Sequence, residues 1–138
     1  MGTEFANLID KNYPSEDYND LMDMVDGVIE KGYVDERNLF VTGGSGGGVL
    51  TAWIIGNTDC FRAAVVAKPL INWISMIGTS DIYTFMAKYW FTDFPWNDVD
   101  QYWKRSPLSL VGNVTTPTMV LTGELDVRTR CAYSNERK

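Results

Sequence analysis

Histidine is absent from all 138 residues. The imidazole is the side chain that most readily takes and returns a proton near neutral pH, so any acid–base chemistry here has to be sought among carboxylates and lysines. Cysteine is limited to Cys60 and Cys131, with no Cys-x-x-Cys spacing. Without histidine beside them a zinc site is not expected, and the two are read as free thiols. Basic residues are also scarce, 12 against 18 acidic ones, for a net charge of −6. Nucleic acids and anionic membranes are bound through clustered Lys and Arg, so neither is an expected partner. No apolar run, Val49–Ile55 included, approaches the roughly 20 residues needed to cross a bilayer. The start, Met1-Gly2-Thr3-Glu4-Phe5, lacks the basic and apolar regions of a secretory signal. The expected location is therefore cytoplasmic, and the Asn113-Val114-Thr115 triplet is read as a chance glycosylation pattern.

What is present is ordinary for a globular chain: 45% hydrophobic and 22% charged residues. The length suits one domain with a core rather than two. Residues 15–32 read as a helix, with Tyr18, Leu21, Met22, Val25, Val28 and Ile29 on one face of a 3.6-residue period. Ser15 is its expected N-cap and Gly32 its stop. Asn38–Thr42, Ala63–Ala67 and Thr118–Thr122 read as short apolar strands, and Gly46 to about Gly56 as a helix. Near-continuous apolar strands alternating with helices predict an α/β fold with a parallel sheet covered by helices. Residues 70–113 form an insert holding ten of the eighteen aromatic side chains. These rings serve either to pack the insert against the sheet or to line an apolar pocket. Trp73, Tyr83 and Trp90 are the candidates for the second role.

The most specific element is Gly43-Gly44-Ser45-Gly46-Gly47, which follows a strand-like run directly. This G-x-S-x-G pattern between a strand and a helix is where a serine hydrolase keeps its nucleophile. A sharp turn would expose the Ser45 hydroxyl. Glycines two before and two after it would remove side chains that collide with neighbouring elements. The Gly46 amide, at a helix N-terminus, would point at developing negative charge and act as an oxyanion donor. The alternatives are a flexible glycine loop or a phosphate cradle, but the latter wants Gly-Lys-Ser/Thr where Val49-Leu50 stands. Asp126, on a loop just past the third strand, is in the location and chain order of a triad acid. Alone it would read as a turn or helix-cap aspartate; coupled to Ser45 it reads as the acid.

Taken together, Val41 to Gly48, Phe61 to Val65, Lys68 to Trp73, Ser106-Pro107-Leu108 and Thr116 to Thr129 resemble the catalytic domain of the prolyl oligopeptidase family. The acylaminoacyl-peptidase and dipeptidyl-aminopeptidase branch is the nearest in pattern. Glu4 to Asn7 and Asp17 to Asp20 fit as well. The resemblance implies an α/β-hydrolase fold with an aromatic-rich helical insert, Ser45 as nucleophile, Asp126 as triad acid and no cofactor. It also implies a domain that is incomplete at both ends. Strands and a second oxyanion donor would precede it, and a histidine would follow Asp126. On this reading 1–138 is one partial domain: 1–69 carries the elbow, 70–113 the insert, and 114–138 a strand, the acidic loop and an atypical tail from Arg130 to Lys138.

Two expectations follow. With no imidazole, Lys68 is the candidate base, provided burial keeps its amine neutral. Simple esters are then favoured over peptides, since an alkoxide leaves with less protonation. A chain that folds but does not turn over is the alternative. The outer edges of the three-stranded sheet would lack partners, which predicts homo-oligomers.

Overall fold

The computed structural model describes residues 2–129; the tail from Arg130, with Cys131, lies outside them. Three parallel strands form one sheet in the order β1 (Phe40–Gly44), β2 (Ala63–Ala67), β3 (Thr118–Leu121). Phe40 pairs with Ala63 and Gly44 with Ala67, while Ala64 pairs with Thr118 and Ala67 with Leu121. The central strand is the covered one. Ala64 and Val66 are buried and join Ile55 in a small core, with Val41, Ala52 and Val114 packed around it. Among the described residues, β1 and β3 each keep one unpaired edge.

A short helix, α1 (Thr3–Ala6), precedes the long helix α2 (Glu16–Ile29). Ser15 sits at the start of α2 but makes no side-chain cap. Instead the Asp17 carboxylate accepts the Ser15 backbone N–H at 2.6 Å, a charge-assisted bond that reaches back from the first turn to the cap residue. Gly32 ends the segment as expected, with φ 76° in the left-handed region and its N–H bonded to the Ile29 carbonyl. A three-residue turn, Glu36–Asn38, is held by the Asp35 carboxylate, which accepts from the Arg37 amide and the Asn38 side chain. That turn moves the start of β1 from the expected Asn38 to Phe40. The strand in turn runs on through Gly43 and Gly44, which pair with Val66 and Ala67.

Helix α3 (Gly46–Asn57) leaves β1 at once and packs on the sheet. The insert folds as α4 (Trp73–Thr79), α5 (Tyr83–Tyr89), α6 (Val99–Lys104) and a 3-10 turn over Pro107–Asn113. The 3-10 turn lies so close to α3 that a Cβ on Gly56 would sit 2.6 Å from Leu110. Tyr13, Val49, Trp73, Phe91 and Tyr102 form the larger core with Met76 and Ile77. The ring stack of Phe91 on Tyr102, with centroids 3.7 Å apart, lies at its centre. Polar atoms in this core are paired. The buried Ser106 hydroxyl accepts the Trp73 amide and donates to the Tyr102 carbonyl, and the Tyr102 hydroxyl donates to the Asp93 carbonyl. No helix among the described residues is long and apolar enough to cross a membrane.

Candidate active site

Gly44, Ala67 and Leu121 stand side by side in the ladder. Ser45, Lys68 and the loop from Thr122 therefore leave the sheet along the same edge, the carboxyl edge where open parallel sheets bind ligands.

Ser45 joins β1 to α3 with φ 57° and ψ −119°. A non-glycine residue in that region costs about 1–3 kcal/mol and persists only where its surroundings fix it. Here its N–H donates to the Ala67 carbonyl and its carbonyl accepts the Val49 N–H, both at 3.0 Å. The hydroxyl makes no cap bond to α3 and the residue is exposed, so its oxygen is free for chemistry. Gly46 is the first residue of α3, and its amide has no acceptor within the helix.

The glycines divide by need. A Cβ on Gly43 would collide with the Gly47 carbonyl and lie 2.8 Å from Thr51 Oγ1. One on Gly48 would lie 2.6 Å from the Ala67 carbonyl and 3.3 Å from Pro69. Position 47 meets nothing within 4 Å. The expectation of close approach at Gly43 holds, but its partner is Gly48 rather than Gly47. Gly47 faces outward and Gly48 faces β2.

Asp126 lies in a tight loop closed by its own N–H on the Gly123 carbonyl. Its Oδ1 accepts the amides of Arg128 and Thr129 at 2.8 and 2.9 Å, and its Oδ2 accepts the Thr129 hydroxyl at 2.7 Å. Bonding to the Thr129 amide, then to its hydroxyl and to the Arg128 amide, holds the carboxyl below the ordinary aspartate range, so it is an anion at neutral pH. The loop is tied to the insert, since Asp81 donates its N–H to the Val127 carbonyl and pairs with Arg128 at 3.5 Å.

Lys68 does stand at the end of β2, with φ 40° and its Cε close to the backbone of Gly44. It is exposed, however. The burial that its candidacy as base requires is not supplied by the described residues. Trp73 is also corrected. It is 2% exposed, its ring N–H donates to the Arg105 carbonyl, and it packs the interior instead of lining a pocket. Trp90 is half-buried between Tyr13 and Trp73, at 4.7 and 5.9 Å between centroids. Tyr83 opens α5 and is exposed. An apolar groove of about 440 Å³ lies elsewhere, between Leu21, Met22 and Val25 of α2, Phe40 of β1 and Ile54 and Phe61; Ser45 does not line it. Among the described residues no group of three or more Cys, Asp or Glu is placed to hold a metal ion.

Sequence reasoning missed Tyr13 and Arg105. The Tyr13 hydroxyl donates to the Gly46 carbonyl at 2.6 Å, next to Ser45, and Arg105 grips the backbone of Tyr13. Nothing in the local pattern around either residue signals a contact 33 or 92 positions away.

A strained serine on a strand-to-helix turn, followed by a helix N-terminus and an acid loop two strands away, defines the α/β-hydrolase class. The chain belongs to the prolyl oligopeptidase family, whose model matches residues 1–136. It is 42% identical over 128 residues to the uncharacterized peptidase YuxL of Bacillus subtilis (strain 168), covering 92% of this chain and 20% of that protein. It is 36% identical over 138 residues to acylamino-acid-releasing enzyme 1 of Oryza sativa subsp. japonica, covering 93% and 18%. The acylaminoacyl peptidase of Pyrococcus horikoshii superposes with a TM-score of 0.87 at 25% identity, over 94% of this chain and 21% of that one. The chain thus spans about a fifth of the length of the relatives it matches.

Proposed function

We propose that this segment carries the nucleophile and acid of a serine peptidase of the acylaminoacyl-peptidase kind, with Ser45 attacking the substrate carbonyl and Asp126 serving as the triad acid. The observation that carries the reading is the Ser45 geometry: an exposed residue on a left-handed turn at the carboxyl edge, followed by the Gly46 amide at the start of α3. In the step proposed, Ser45 Oγ bonds to the acyl carbon and the carbonyl oxygen takes up negative charge opposite the Gly46 N–H. The leaving group departs with the proton, and water then releases the acyl group. Relatives named acylamino-acid-releasing enzymes support a peptide substrate with an acylated residue for the whole protein.

The 138 residues contain no histidine to receive the serine proton, and this favours a second reading for the segment by itself: a catalytically incomplete piece. Activated short-chain esters separate the two. Their leaving groups need little protonation, so acylation of Ser45 would add to the roughly 10³–10⁴ over the water rate that oxyanion binding alone sustains in triad-deficient serine hydrolases and that Ser45→Ala would retain. Hydrolysis of p-nitrophenyl acetate by this chain should therefore exceed that of an identically purified Ser45→Ala variant, and a fluorophosphonate should label Ser45. Equal background rates with no labelling would mean that the elbow persists here only as scaffold.

A further inference from the structure

Helix α3 opens with three consecutive glycines, Gly46, Gly47 and Gly48. This is an unusual way to build an oxyanion donor. Glycine loses more backbone freedom on ordering than any other residue and is a poor helix former. Left to itself, such a first turn would fray, and the Gly46 amide would not hold a fixed direction. A donor that must reorganise during the reaction loses much of its value.

The structure supplies a restraint from outside the helix. The Tyr13 hydroxyl donates to the Gly46 carbonyl at 2.6 Å. The ring is buried, edge-on to Trp90 at 4.7 Å and to Trp73 at 6.3 Å. Its backbone is clamped as well. Arg105 Nε and Nη2 both donate to the Tyr13 carbonyl, at 2.8 and 2.7 Å, while Nη1 donates to the carbonyls of Trp90 at 2.7 Å and Lys11 at 3.2 Å. The guanidinium lies 4.4 Å over the Phe91 ring. Every acceptor is a main-chain carbonyl, and among the described residues no carboxylate pairs with it. Three differently aimed carbonyls suit the fixed fork of arginine and not the single point charge of lysine.

We propose that Tyr13 is a positioning residue for Gly46, the oxyanion-donating residue of the elbow, and that Arg105 holds Tyr13 in register with it. The proposal rests on the reading of Ser45 as nucleophile for its catalytic meaning, though not for its mechanics. Tyr13 fixes the Gly46 carbonyl. That carbonyl belongs to the peptide after Gly46, so the bond restrains ψ of Gly46 and, through the first turn of α3, steadies the amide that follows Ser45. Burial, reinforced by the Asp17 carboxylate, pushes the phenol well above its ordinary range, so the hydroxyl stays a donor at any usable assay pH.

The test uses the 138-residue chain with Tyr13→Phe, which removes only the hydroxyl, and Arg105→Lys, which removes the fork. Two quantities are read: the kinact and KI for fluorophosphonate labelling of Ser45, and 15N order parameters along α3. In Tyr13→Phe, kinact should fall about tenfold with KI unchanged, as for the loss of one hydrogen bond acting in the transition state. The order parameters of Gly46 and Gly47 should drop from the rigid value of about 0.85 toward 0.6 while those of Ile54 and Ile55 hold. Arg105→Lys should shift both quantities in the same direction. Unchanged order parameters at Gly46 in Tyr13→Phe would overturn the proposal, and so would a uniform drop across α3, which would mark a packing role only. If the parent chain is not labelled at all, the nucleophile reading fails, and the order parameters alone decide whether Tyr13 fixes the elbow.

Discussion

Trp73, Phe91 and Tyr102 of the insert are 2%, 1% and 0% exposed, whereas α2 buries none of its residues and the neighbouring Phe40 is 65% exposed. Both regions carry regularly placed apolar side chains. They differ in what lies opposite. The insert curls on itself, and the polar atoms of its buried rings find partners within its own length: the Trp73 ring N–H on the Arg105 carbonyl, the Tyr102 hydroxyl on the Asp93 carbonyl. The face of α2 meets α3 and an edge strand and leaves the 440 Å³ groove between them. Periodicity says which side of an element turns inward. It does not say whether enough of the fold is there to cover it.

That contrast can be broken by truncation on both sides. Phe91→Ala should cost about 3–5 kcal/mol in urea unfolding, the range for an aromatic core truncation. Leu21→Ala, on a half-covered face, should cost less than about 1 kcal/mol, near the surface range. Equal losses would mean that the groove is as well packed as the insert. The elbow offers a sharper version of the same comparison, between two glycines four residues apart. Gly43→Ala should destabilise by about 1–3 kcal/mol, as overpacking does. Gly47→Ala should be neutral or stabilise by up to about 1 kcal/mol, because alanine favours the helix and its methyl group meets open space. Thermal melts of the two variants decide this directly.

The smallest expected effect concerns the acid loop. The carboxyl of Asp126 titrates below the ordinary value of 3.8 in the folded chain. A lowered carboxyl contributes stability that is present above the unfolded value and lost as pH falls through the folded one. Order in the loop from Gly123 to Thr129 should therefore persist at pH 5 and weaken below about pH 4. The Thr129 amide should show this first in NMR spectra recorded from about pH 5 down to below about pH 4, and Asp126→Asn should remove the dependence.

Much of this was legible in the residues. Ala63–Ala67 begins and ends where its apolar run does, and the elbow is readable because its strand, turn and helix are consecutive in the chain. The parts that escaped are those decided by contacts distant in sequence. Gly47 and Gly48 look alike in the motif, and only the direction of α3 against Ala67 separates them. Lys68 sits where a base would be useful, but its exposure depends on what the insert covers. Trp73 reads as a pocket wall or a core residue with equal ease until Ser106 and Arg105 are brought beneath it. Arg105 itself, charged and next to Ser106-Pro107, gives no hint that its partners are carbonyls of a segment near the start.

The separation between Arg105 and Tyr13, 92 positions along the chain, gives assembly an order in time. Synthesis at roughly 5–20 residues per second delivers Tyr13 to the exit of the ribosome about 5–20 seconds before the guanidinium that clamps it. Strand β1, the serine turn and the glycine-led helix all emerge within that interval. On the proposed reading of Ser45 and Tyr13, the nascent chain would hold its nucleophile before it holds the means of steadying the adjacent amide, and the elbow would be finished only when the insert closes behind it.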